Sequence, residues 1–235
     1  MALPARNHRI TLAEAARQAR RHREHDPQAE KGGAFHADQV RALLAQPEAS
    51  ALRYYHGIHD DGRYAMVLVA SSAADQDLVD GILMEEHFTC PPICALPNDL
   101  NCADPVSARR RRPYRRAPLV LPPRDHTIAL ADAAVLTRRW RRARRGVEHG
   151  GAFHADQVQA LLDQRECVGL RYYHGLDEVG APSLILVGMD PEGADMTEGT
   201  MLEEHFTCPP ICAFPSDLNS SGWVARQPAA GAGAR

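Results

Sequence analysis

The stretch Gly32-Gly33-Ala34-Phe35-His36-Ala37-Asp38-Gln39-Val40 is spelled again, without a change, at Gly150–Val158. Laying one on the other brings His8–Cys102 onto His126–Ser220 without a gap, and about half of the aligned pairs are identical. Self-similarity of that extent marks a duplicated structural unit. The identities gather in three blocks: GGAFHADQV itself, LRYYHG (Leu52–Gly57 and Leu170–Gly175) and EEHFTCPPICA (Glu85–Ala95 and Glu203–Ala213). Between the blocks the copies diverge, as in Ser71–Gln76 against Met189–Ala194. The blocks are rich in His, Cys, Glu, Asp and Tyr, so what the copies share is a site as well as a scaffold.

The repeat divides the chain into module 1 (8–102), a Pro/Arg-rich linker (103–125), module 2 (126–220) and a flexible tail (221–235). A module of that size buries only a modest core, and a bound metal or packing of the two copies against each other would help it. The linker carries five prolines and seven arginines without apolar periodicity, which reads as an extended spacer.

Local patterns give an α+β module of about two helices followed by a small antiparallel sheet. Thr11 with Glu14 forms a capping-box pattern ahead of a helix to His25, matched by Ile128–Arg145 in the second copy. Gly32-Gly33 and Gly150-Gly151 read as turns. A second helix is expected over His36–Gln46 and His154–Gln164, its Val40, Leu43 and Leu44 facing the core. A hairpin follows, with strands Leu52–Ile58 and Tyr64–Ala70 about an Asp61-Gly62 turn, and Gly169–Leu176 with Ser183–Gly188 in the second copy. Two-residue alternation places Leu52, Tyr54 and His56 on one face of the strand, and Arg53 and Tyr55 on the other. Gly81–Phe88 fits either a strand or a short helix. The expected architecture packs the two modules as a pseudo-dimer, a self-association built into one chain.

The chemistry-bearing pattern is H-x2-C-x3-C: His87, Cys90 and Cys94, repeated at His205, Cys208 and Cys212. Imidazole and thiolate are the ligands zinc prefers, so one Zn site per module is the leading expectation. Glu85 and Glu203, and His36, His56, His154 and His174 arriving from other elements, are the further candidate ligands. Asp38 and Glu85 could orient a ligating imidazole instead. Pro91 and Pro92 offer no N–H groups to steady thiolates, which sets this loop apart from a C-x2-C knuckle. A disulfide, reduced structural cysteines and a reactive thiol activated by His87 stay open beside the metal. Cys102 and Cys167 have Ser220 and Ala49 as counterparts, so neither belongs to the shared site.

Of 27 Lys and Arg, all but Lys31 are arginine, and the net charge is −3. About half of the positive charge falls in Arg109–Arg145, with Tyr114 and Trp140 interleaved, a stripe suited to nucleic-acid phosphates. The matching segment of the first copy is partly neutralised by Glu24 and Asp26. Neither a glycine-rich phosphate loop nor a familiar hydrolase motif is present, so no nucleotide cofactor is expected. No apolar run reaches the ~20 residues of a membrane span, and no secretory leader is evident, so the expected place is the cytoplasm, away from membrane.

The run GAFHADQV, LRYYHG, EEHFTCPPIC resembles a group of short uncharacterised bacterial proteins that carry a GLR-x-Y-x-G strand and a C-terminal CPP-x-C. The resemblance spans most of each repeat and implies no activity and no catalytic residues. The pattern favours a non-enzymatic binding or assembly protein of two metal-holding modules. Its alternatives are a metal-dependent or thiol redox enzyme on the same His, Cys and Glu cluster, and a nucleic-acid-associated protein using the arginine stripe.

Overall fold

The computed structural model describes residues 3–102, 121–203 and 205–220. Residues 103–120, with Arg109–Arg112, Tyr114, Arg115 and Arg116, and the tail beyond 220 lie outside the described residues.

The first repeat runs α1 (Leu12–His25), β1 (Gly32–His36), α2 (Ala37–Leu44), β2 (Ala49–Ile58), β3 (Tyr64–Ser72), β4 (Leu83–Met84) and β5 (Phe88–Cys90). The second runs α3 (Leu130–Ala143), β6 (Gly150–His154), α4 (Ala155–Leu162), β7 (Gly169–Leu176), β8 (Pro182–Met189), β9 (Met201–Leu202) and β10 (Phe206–Cys208). The fold is α+β. Thr11 caps α1 through the expected reciprocal contacts with Glu14. Gly81–Phe88 resolves into β4 and the first residue of β5, and is not helical.

Two five-stranded antiparallel sheets carry the molecule, in the orders β5-β1-β7-β8-β9 and β10-β6-β2-β3-β4. Each therefore takes two strands from one repeat and three from the other. β1 pairs with β7 from Gly32↔Tyr173 to His36↔Gly169, and β6 pairs with β2 from Ala51↔His154 to Tyr55↔Gly150. The repeats do not close on themselves as two separate sheets. The glycine pair expected to turn is the strand that crosses between repeats. Its physical reason is a close approach: a Cβ on Gly32 would lie 2.0 Å from the Tyr172 carbonyl oxygen, and one on Gly150 2.0 Å from that of Tyr54. Only glycine lets the backbones come so near.

The alternation expected in LRYYHG holds. Leu52 and Tyr54 join Phe35, Phe153, Leu170, Tyr172 and the apolar faces of α2 and α4 in the main core. Tyr55 faces the other way, with Val67 and Val69, under Ala133 and Leu136 of α3. Ala15 and Ala19 of α1 cover Tyr173, Ile185 and Val187 in the same manner. Each long helix thus shields strands contributed by the opposite repeat.

Arg53 and Arg171 are fully buried on those outer faces. Arg53 pairs with Asp75 and, at 3.3 Å, with Asp77, while Arg171 pairs with Asp195 at 2.9 Å. Each also donates across the repeats to the carbonyl inside a CPPIC loop, Arg171 to Ile93 at 3.2 Å and Arg53 to Ile211 at 3.5 Å.

Candidate functional site

A cavity of about 500 Å³ opens where the two repeats meet, lined from both. Its lining includes Tyr54 and residues that stand at equivalent places in the two copies, Glu30 with Glu148 and His56 with His174. The rings of His56 and His174, each at the end of its strand, have centroids 6.5 Å apart.

Around each carboxylate stands a small polar cluster that mixes the repeats. On one side Glu30 Oε1 accepts the Tyr172 hydroxyl at 2.9 Å and His87 Nε2 at 3.1 Å. The other ring nitrogen of His87 lies 3.4 Å from Glu85 Oε1, which His59 also reaches at 3.3 Å. On the other side Glu148 Oε1 accepts the Tyr54 hydroxyl at 2.7 Å, with His205 Nε2 at 3.3 Å and His56 Nε2 at 3.7 Å. His205 Nδ1 lies 3.7 Å from Glu203 Oε1. Tyr64 closes the arrangement through a 2.7 Å contact between its hydroxyl and His56 Nδ1.

These contacts fix charge. Burial draws the His87 and His205 imidazoles down, but the two carboxylates flanking each outweigh it and raise both to about 9. Burial pushes Glu148 up, and His205 and His56 more than offset it, leaving the carboxyl at about 2. His174 is the opposite case: burial, with His22, His56 and His87 nearby, holds it well below its ordinary range and neutral. Tyr54, Tyr64 and Tyr172 are raised by burial and by the neighbouring carboxylates, so their hydroxyls stay protonated donors.

One wall of the cavity is aromatic. The Trp140 ring lies 4.7 Å from that of His56 and 5.9 Å, edge to face, from Tyr64. Its indole N–H donates to the Glu148 carbonyl at 2.9 Å, which fixes the ring, and the Arg144 guanidinium sits 5.9 Å over its face.

Of the residues expected to hold metal, the structure brings Glu85 to His87 and Glu203 to His205, and places His56 and His174 at the cavity. The cysteines are engaged otherwise. Cys90 is bonded to Cys94 and Cys208 to Cys212. A disulfide sulfur carries no thiolate charge and does not ligate zinc as a thiolate does, so the expected zinc ligand set is not assembled in this state of the chain. Among the described residues no group of three or more His, Cys, Asp or Glu is placed to hold a metal ion. His36 and His154 also lie apart from the carboxylate clusters: His36 Nδ1 meets His126 Nε2 at 2.9 Å, and His154 Nε2 meets the Pro4 carbonyl at 2.9 Å. Within the arginine stripe, Arg139 is paired with Asp60, and Arg141 with the carbonyls of Leu218 and Ser220. No described helix is long and apolar enough to cross a membrane.

Sequence reasoning missed Glu30 and Glu148 as site residues. A signal existed: each stands two positions before the glycine pair, a single identity within a diverged stretch. Asp77 and Asp195, partners of the buried arginines, are likewise a lone identity in a diverged stretch. Trp140 and Tyr64 gave no such signal, because His22 and Pro182 stand at the equivalent places. No family model, curated protein or solved structure matches this chain.

Proposed function

We propose that this is a non-enzymatic binding protein whose small-molecule ligand occupies the cavity between the repeats. The observation that carries this reading is that Glu30/Glu148 and His56/His174, paired residues from both copies, line one space with Tyr54, while Tyr172, His87 and His205 hold its two carboxylates. A concave, largely apolar space with a few fixed polar groups is the usual form of a small-ligand site. The charge states of His87, His205 and Glu148 suit fixed contacts to a ligand or to one another. Imidazoles near 9 and a carboxyl near 2 do not change protonation around neutral pH, where a general base needs a value close to 7.

The test is a thermal-shift screen with cationic, neutral and anionic small molecules, followed by calorimetry on any hits. Val147 lines the cavity and is 41 % exposed, so Val147→Trp narrows the space at a position that tolerates bulk. Hits are expected to lose at least about tenfold in affinity in that variant, roughly 1.4 kcal/mol. Hits that bind Val147→Trp equally well, or a screen without hits, would overturn the proposal.

A further inference from the structure

We propose, resting on the cavity as the binding site, that the ligand class is an organic ammonium: a cationic nitrogen carried on a compact apolar body. Charge is the first argument. Each imidazolium stands between two carboxylates, His87 between Glu30 and Glu85, and His205 between Glu148 and Glu203. Each of these imidazoles thus faces two carboxylates, and burial holds His174 beside them well below its ordinary range. An anionic ligand would find one guanidinium lining the cavity, Arg144 at its exposed rim. The imidazoliums that could attract it are already enclosed by carboxylates.

Shape is the second argument. Trp140, His56 and Tyr64 present rings at angles to one another, with interplanar tilts of 33°, 52° and 77°. Rings set at angles beside a carboxylate form the arrangement that holds an alkylated ammonium by its aromatic faces. The Trp140 face already attracts a cation within the protein, the exposed Arg144 guanidinium at the rim. The copies also differ at this wall. Trp140 stands opposite His22 and Tyr64 opposite Pro182, while the carboxylates Glu30 and Glu148 are identical. The cage is thus built on one side of an otherwise matched space, which points to a single ligand with one cationic head.

The test compares three molecules of nearly one shape by calorimetry and tryptophan fluorescence on the full chain. Choline carries the quaternary nitrogen, 3,3-dimethylbutan-1-ol replaces it with carbon, and 3,3-dimethylbutanoate reverses the charge. Choline is expected to bind at least about tenfold more tightly than the alcohol, with the carboxylate weakest. Trp140→Leu and Glu148→Gln should each erase most of that preference. Glu148→Gln also removes a partner of buried His205, so Trp140→Leu is the variant that decides if the other unfolds. Equal binding of choline and the alcohol, or preference for the carboxylate, would overturn the cationic class and leave the cavity reading standing. The cationic class also fails if choline does not bind at millimolar concentration while other compounds bind and are weakened by Val147→Trp. No ligand of any charge would sink both.

Discussion

Glu30 and Glu148 each hold a protonated histidine and a tyrosine hydroxyl on a single oxygen, and the consequence is a set of opposed pH dependences. His87 and His205 lie near 9 in the folded chain against about 6.5 when unfolded. Their contribution is full below about 6.5 and is lost as pH rises through about 9. His126, lowered by burial to about 4, and His174, held down by burial, act in the other sense. Their contribution is full above about 6.5 and is lost as pH falls. Glu148, near 2, adds a loss below about 4.5. Melting temperature is therefore expected to peak close to pH 6.5 and to fall by several degrees on either side. Calorimetric scans from pH 4 to about 10 check this, and the double variant His87→Gln/His205→Gln should lose the alkaline limb while keeping the acid one. An alkaline limb unchanged in that variant would contradict the charge assignment. Little of this was legible in the sequence. His87 and Glu85 are neighbours in one block, but the carboxylate that completes their environment comes from Glu30, and the tyrosine from the other repeat. Distance along the chain hides such a cluster.

At the scale of elements, the CPPIC loop and the glycine pair carry signals that spacing and local preference do not resolve. H-x2-C-x3-C is shared by ligand loops and by short disulfides, and spacing alone does not separate them. If the cysteines are paired as described, unfolding under non-reducing conditions should expose two titratable thiols, Cys102 and Cys167, rising to six after reduction. Six thiols before reduction, with about one zinc per repeat, would restore the metal ligand set. The glycine pair failed as a turn signal because local preference cannot register a partner strand in the other repeat. Gly32→Ala should cost about 3 kcal/mol or more, since the added carbon meets a backbone oxygen. Gly62→Ala is the control. Its φ of 85° sits in a hairpin turn with nothing within 4 Å of the new Cβ, so its cost should be near 1 kcal/mol. Urea titration of both variants separates a close approach from a merely unfavourable backbone angle. The capped helix and the hairpins were legible because their signals are local, and the alternation in LRYYHG fixed which face of β2 looks inward.

For the whole molecule, the shared sheets decide what a fragment can do. Module 1 alone would present β2 without β6 and β1 without β7, leaving two unpaired inner edges. Expressed by itself, the 8–102 segment is expected to be unfolded at low concentration or to associate with a second copy that supplies the missing strands. Sedimentation over a concentration series distinguishes these outcomes from a folded monomer, which would contradict the strand pairing. Sequence supplied the duplication, the fold class and the composition of the shared blocks, yet it held no information on which repeat pairs with which strand.

The exchange of strands also governs access to the cavity. Many ligand sites between two lobes open like a clamshell, because the lobes are joined by a hinge and little else. Here each wall is woven from both repeats, and separating the repeats would break the β1–β7 and β2–β6 ladders. A ligand of the kind proposed would enter without the repeats parting, and its residence time would then be set by its contacts inside the cavity.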